Sequence, residues 1–180
     1  MSRLVEFRNR IYHRFRREWL SPSQEQAYTR LKNLLVFQDA INLCGSSGSG
    51  KTFMTWVLAK ETPGPVCFLT QPKQIVEQSV AENTVAIADP HSPERSAIRA
   101  TLTQCRQFGC RKVIFVSDEP VADQIPICQL FLTKRDLEKI RQNWESIAIP
   151  VQELQEATEN LNLHMALREI VLNSLNLTGR

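Results

Sequence analysis

Ala40-Ile41-Asn42-Leu43-Cys44-Gly45-Ser46-Ser47-Gly48-Ser49-Gly50-Lys51-Thr52 decides the fold. The stretch opens as a short apolar run, Ala40 to Cys44, which reads as a β-strand. Gly45 to Thr52 then matches G-x-x-x-x-G-K-[ST] at every fixed position, and a helical pattern begins at Lys51. Strand, glycine-rich turn and helix start, in that order, make a phosphate-binding loop. The small residues Gly45, Ser46, Ser47, Gly48, Ser49 and Gly50 let the backbone curl around a phosphate with its N–H groups inward. The helix N-terminus adds positive potential. Lys51 would bridge the β- and γ-phosphates of a nucleotide, and the Thr52 hydroxyl would be a ligand for Mg²⁺. The chain has 180 residues but only six glycines, half of them in this loop. Such concentration marks a backbone task.

Downstream, Val113-Ile114-Phe115-Val116-Ser117 runs into Asp118-Glu119. A buried apolar strand delivers such acids to the C-terminal edge of a parallel sheet, where a phosphate loop also lies. Asp118 is the second candidate for holding Mg²⁺, mostly through water. Glu119 is the candidate general base for the attacking water. Taken alone, Asp118-Glu119-Pro120 also reads as a solvated turn; the phosphate loop upstream shifts the balance to function.

The other elements follow from period and punctuation. Ser21-Pro22-Ser23-Gln24 starts a helix over 22–37: Ser21 caps, Pro22 suits the first position, and Gln24 completes a capping box. Strands are expected at 66–70, 84–88, 112–117, 127–132 and 146–149. Helices are expected at 51–61, from Pro72, at 93–107 with Gly109 just beyond its end, at 134–144 and from 151 to about 175. Strands alternating with helices imply an α/β fold. Together with the phosphate loop they predict a three-layer P-loop NTPase core, a mostly parallel sheet flanked by helices, with an N-terminal amphipathic basic helix. The boundary falls near 21: residues 1–20 form the arm, and 21–180 the core with a short C-terminal helical segment.

The arm carries the charge. Net charge is +3, yet the first twenty residues hold six arginines against Glu6 and Glu18. The remainder is therefore close to neutral. Leu4, Phe7, Ile11, Phe15 and Trp19 recur at helical spacing, with arginines around them. Three readings stand: a helix docked on its own domain with solvated arginines, a contact for nucleic acid or an acidic partner, or, more weakly, a membrane-surface contact. Apolar residues at 42% and charged residues at 23% exclude a disordered or collagen-like chain. No window approaches the length of a transmembrane segment, and no leader pattern is present, so a cytoplasmic location is expected. Five cysteines without Cys-x-x-Cys, and His13, His91 and His164 far apart, give no metal-site spacing. The cysteines read as reduced and buried.

A third strand end, Cys128 to Leu132, is followed by Thr133-Lys134-Arg135-Asp136. Thr133 and Asp136 have capping spacing. A polar side chain placed here can also lie beside a γ-phosphate. With this segment the chain resembles the AAA+ and STAND classes of P-loop ATPase over about 24–160: Gly45 to Thr52, Val113 to Glu119 and Leu130 to Asp136 occur in the family's order. "QLFLTKRDLEKI" followed by "IAIPVQELQEAT" is similar to NB-ARC and other STAND segments. The resemblance implies an ATP-hydrolysing switch or motor subunit that uses ATP and Mg²⁺. It implies a homo-oligomer or partner protein, with nucleic acid as a possible partner of residues 1–20. It makes Arg135 the first sensor, with Thr133 as second candidate. Only about 30 residues follow Pro150, too few for a full helical lid. Arg168 is a weak lid candidate, and Arg141 matches a trans-acting finger less well than a surface helix residue.

Three alternatives remain open at this point. Thr133-Lys134-Arg135-Asp136 fits the [NT]-K-x-D pattern of a GTPase, although Asp118-Glu119-Pro120-Val121 lacks the glycine of Asp-x-x-Gly. A small-molecule or nucleoside kinase lacks an evident arginine-rich lid. A regulatory subunit would bind nucleotide and hydrolyse little.

Overall fold

A computed structural model describes residues 16–69, 84–88, 94–121 and 124–145. Most of the arm, the segment following Pro72, and the strand and helix expected beyond 145 lie outside the described residues, as do Arg168 and the side chain of Arg141. A short 3-10 turn, Arg17–Trp19, precedes helix α1, Pro22–Phe37. Strand β1, Ala40–Gly45, leads to α2, Lys51–Glu61. Then come β2, Val66–Leu69, and β3, Thr84–Ala88. Helix α3, Arg95–Gln107, β4, Cys110–Ser117, β5, Ile127–Leu130, and α4, Lys134–Glu145, complete the order.

The five strands form one sheet in the order β2-β3-β4-β1-β5, with every pairing parallel. Parallel strands covered on both faces need apolar side chains on both. Accordingly all of β3, and β1 beyond Ala40, are buried. The α/β class and helix-flanked parallel sheet expected from the sequence are therefore present.

The chain divides into two compact units. One comprises Gln26–Ser46 and Leu58–Leu130; the other comprises Met1–Glu25, Ser47–Val57 and Phe131–Arg180. In the first, the sheet unit, a core cluster joins Ala86, Ala88, Val113 and Phe115 to Ile98 and Cys105 of α3. Helix α3 ends at Gln107, and just past its cap residue Phe108 stands Gly109 with φ 83°, a conformation that costs glycine little. Tyr28 and Leu31 of α1 are fully buried, and the Tyr28 hydroxyl donates to the Glu61 carboxylate at 2.8 Å. The last carbonyls of α1 have no partner within the helix. Lys112 of β4 supplies one, donating its ammonium to the carbonyls of Leu35 and Gln38.

All five cysteines are buried in the sheet unit, and none is in a disulfide. Burial pushes the Cys105 thiol up to about 12, helped by Cys110 and Cys67 nearby, and raises Cys128 to about 11 against a small opposing effect of Arg30. They behave as small apolar side chains, as the sequence leads one to expect.

Candidate functional site

In the sheet unit the strand ends converge. Cys44 of β1 is opposite Ser117 of β4, so Gly45 and Asp118 each stand one residue past that pair. Gly45 is in turn opposite Leu130, the last residue of β5. The first residue of the phosphate loop therefore stands beside the acid-bearing end of β4, at the C-terminal edge of the sheet. Asp118 and Glu119 are exposed there.

The acid segment is tied down by hydrogen bonds. The Ser117 hydroxyl donates to the Glu119 carbonyl at 2.6 Å, and the Cys44 thiol to the Asp118 carbonyl at 3.4 Å. Asn42, fully buried in β1, donates to the Phe115 carbonyl at 3.2 Å and to the Ser117 hydroxyl at 2.8 Å. It accepts from the Val121 N–H at 3.1 Å. Sequence reasoning passed over Asn42 by counting 40–44 as an apolar run. The signal was an amide in the middle of a strand that is otherwise apolar.

In the other unit the back half of the phosphate loop curls through two glycines of positive φ, Gly48 at 79° and Gly50 at 95°. Any other residue would be strained at either position. At Gly50 a Cβ would also come within 2.2 Å of the Gln24 amide nitrogen. Gln24 has two jobs. Its oxygen accepts from the Ser21 N–H at 3.0 Å, one half of the expected capping box, while its amide donates to the Ser49 carbonyl at 2.9 Å. The capping role was legible from spacing; the grip on a loop 25 residues downstream was not. The other half of the box is not formed, because the buried Ser21 hydroxyl makes no hydrogen bond of ordinary length. Lys51 is the first residue of α2 and is 7% exposed; Thr52, next to it, is exposed.

Thr133 and Arg135 are exposed, at and just inside the start of α4. The Thr133 N–H and hydroxyl donate to one Asp136 oxygen, at 2.5 and 2.7 Å. The other oxygen accepts from the Ser23 N–H at 2.8 Å. Asp136 is fully buried, and both its oxygens serve the protein's own backbone. Burial works to raise its pKa, but the hydrogen bonds from Ser23 and Thr133, and the nearby Ser21 hydroxyl, prevail and hold it at about 2. A carboxylate lowered in the fold stabilises it above its unfolded pKa, near 4, and loses that contribution as pH falls towards 2. Asp136→Asn should therefore cost about 2 kcal/mol at neutral pH. The gap to wild type should narrow as pH drops below about 4, which denaturant titrations at several pH values will measure.

Thr52 carries a hydroxyl and Asp118 a carboxylate, each a hard oxygen donor of the kind Mg²⁺ takes alongside phosphate oxygens. The Ser49 hydroxyl is buried in the loop with no hydrogen-bond partner, as suits a loop that binds an anion through its polar groups. Among the described residues no group of three or more His, Cys, Asp or Glu could hold a metal by itself, and no helix is long and apolar enough to cross a membrane.

No protein-family model and no curated protein matches the sequence. Solved structures do match. RuvB of Thermotoga maritima, a Holliday junction branch migration motor, aligns with a TM-score of 0.52 at 15% identity, over 86% of this chain and 68% of that one. Two variants of the same protein give TM-scores of 0.53 and 0.55 at 16% and 15% identity. They cover 87% and 86% of this chain, and 72% and 69% of theirs. Likeness at this identity speaks to architecture: the chain has the α/β fold of the P-loop ATPases, the fold found in RuvB.

Proposed function

We propose that the protein is a Mg²⁺-dependent, ATP-hydrolysing P-loop ATPase, acting as a switch or motor subunit on a protein or nucleic-acid partner. The observation that carries this reading is the register between β1 and β4. It sets Gly45, where the phosphate loop begins, beside Asp118, where the acids begin. Backbone N–H groups of Gly45, Ser46, Ser47, Gly48, Ser49 and Gly50 cradle the phosphates, and Lys51 neutralises their charge. Thr52 and Asp118 would hold Mg²⁺, which would supply further neutralisation of charge on the phosphates. Glu119 orients and deprotonates the attacking water. Arg135 or Thr133 senses the γ-phosphate. Most of the rate enhancement is positioning and charge stabilisation rather than covalent chemistry.

The arginine-rich arm is the proposed contact for the partner, and the motor named by the RuvB structures makes nucleic acid worth testing first. Assembly into a homo-oligomer would let one subunit complete its neighbour's site. Of the two classes the sequence resembles, AAA+ is favoured by the RuvB-like fold, while the STAND assignment rests on the stretch from 129 onward. Five buried cysteines, none in a disulfide, suit a reducing compartment, so a cytoplasmic location is proposed.

ATP is favoured over GTP because Asp136, the residue a guanine reader would need, is buried with both oxygens engaged. Turnover of ATP and GTP by the full chain, measured side by side with Mg²⁺, tests the reading. Preferential ATP hydrolysis supports it; a clear GTP preference overturns it.

A further inference from the structure

A fully buried amide in a central strand demands an explanation. Valine or leucine would fill the same space, and a buried polar group is costly unless its donors and acceptor are paired. Asn42 is paired completely, and every partner lies in one direction. Its amide group bonds Phe115 and Ser117 of β4, and its oxygen takes the N–H of Val121, beyond the acids. The partners also fix which end of the amide is which: a carbonyl must receive the nitrogen, and an N–H must meet the oxygen. Asn42 thus grips the segment Asp118 to Val121 at both ends. Ser117 extends the grip to its middle by donating to the Glu119 carbonyl. Cys44, two residues along β1 and so on the same side of the sheet, reaches the Asp118 carbonyl. The next residue is Gly45. The strand that begins the phosphate loop is therefore also the strand that sets the backbone of the acid pair.

We infer that Asn42, acting through Ser117, is a positioning residue for Asp118 and Glu119. Asn42 is fully buried and its amide is engaged by the protein's own groups. It fixes the direction from which the two carboxylates leave the backbone, as outer partners of metal ligands do elsewhere; loss of such partners costs about 10–100-fold in metal affinity or activity. The inference rests on the ATPase reading and sharpens it, because it assigns the geometry of the metal-binding and base-bearing segment to two residues outside it.

The test uses the full-length chain with three substitutions. Asn42→Leu keeps the approximate shape and removes every hydrogen bond. Ser117→Ala, at a half-buried position, removes the link to Glu119 and the hydroxyl that accepts from Asn42, leaves the Asn42 bonds to Phe115 and Val121 in place, and guards against a folding failure of the first. Ser117→Thr retains a hydroxyl. ATP binding is titrated in EDTA, then against Mg²⁺, and turnover is followed over the same Mg²⁺ range. The expected result for Asn42→Leu and Ser117→Ala is a Mg²⁺ half-saturation raised about 10-fold or more. Affinity for ATP without metal should stay within about twofold, less than the factor any hydrogen bond to ATP would contribute. Ser117→Thr should behave as wild type. The inference is overturned if Ser117→Ala and a folded Asn42→Leu keep the wild-type Mg²⁺ dependence. It is also overturned if metal-free ATP affinity falls in step, which would mark general damage. A wild-type chain that binds ATP with Mg²⁺ but does not hydrolyse it removes the ATPase label alone, since half-saturation by Mg²⁺ still decides the role of Asn42. A wild-type chain that binds no ATP removes both.

Discussion

Glu119→Gln should lower ATP turnover by on the order of 10²–10⁴-fold, the usual contribution of a positioned general base, while ATP binding stays within a few-fold of wild type. The side chains have the same length, but the amide cannot take a proton from water. Glu119 is exposed, and its backbone carbonyl, not its carboxylate, receives the Ser117 hydroxyl. The substitution therefore leaves that anchor in place, and the loss falls on chemistry rather than folding. Phosphate release in steady state measures turnover, and calorimetric titration with ATP measures binding. Equal loss of both would show that Glu119 serves structure or affinity instead.

The second large effect is at Lys51. Its replacement by alanine should weaken ATP about 100-fold or more, since charge-assisted hydrogen bonds contribute about 1.5–3 kcal/mol each and about 1.4 kcal/mol is a factor of ten. Alanine is the best helix former, so α2 can still start at this position. The glycines that shape the loop, Gly48 and Gly50, and the Gln24 bond to Ser49 are left untouched. A melting temperature close to wild type with ATP binding lost is the expected pair of results. Unchanged ATP affinity would mean that the loop does not hold phosphate.

How far these residues could be read beforehand depends on the range of the forces involved. The phosphate loop and the helix of 22–37 are written in local rules: small residues at fixed spacing, a proline at the first helical position, a capping residue three places on. The central strands were legible because they are largely buried and their runs are mostly apolar, Asn42 being the exception in β1. Strand order was not, since nothing local in β1 says that β4 and β5 flank it. The polar contacts that shape the site are long-range as well. Asn42 meets residues 73 to 79 positions away, and Ser23 meets Asp136 across 113. Asp136 illustrates the cost. From spacing alone it served equally as a helix cap or a guanine reader, and only the N–H of Ser23 arriving from a distant helix start resolves its surroundings.

The most direct test of the account is calorimetric titration of the full-length wild-type chain with ATP in Mg²⁺, with Lys51→Ala alongside. The account predicts saturable binding near one ATP per chain, displaced by ADP and absent from the folded variant. No binding by wild type at millimolar ATP, or equal binding by both proteins, would contradict it.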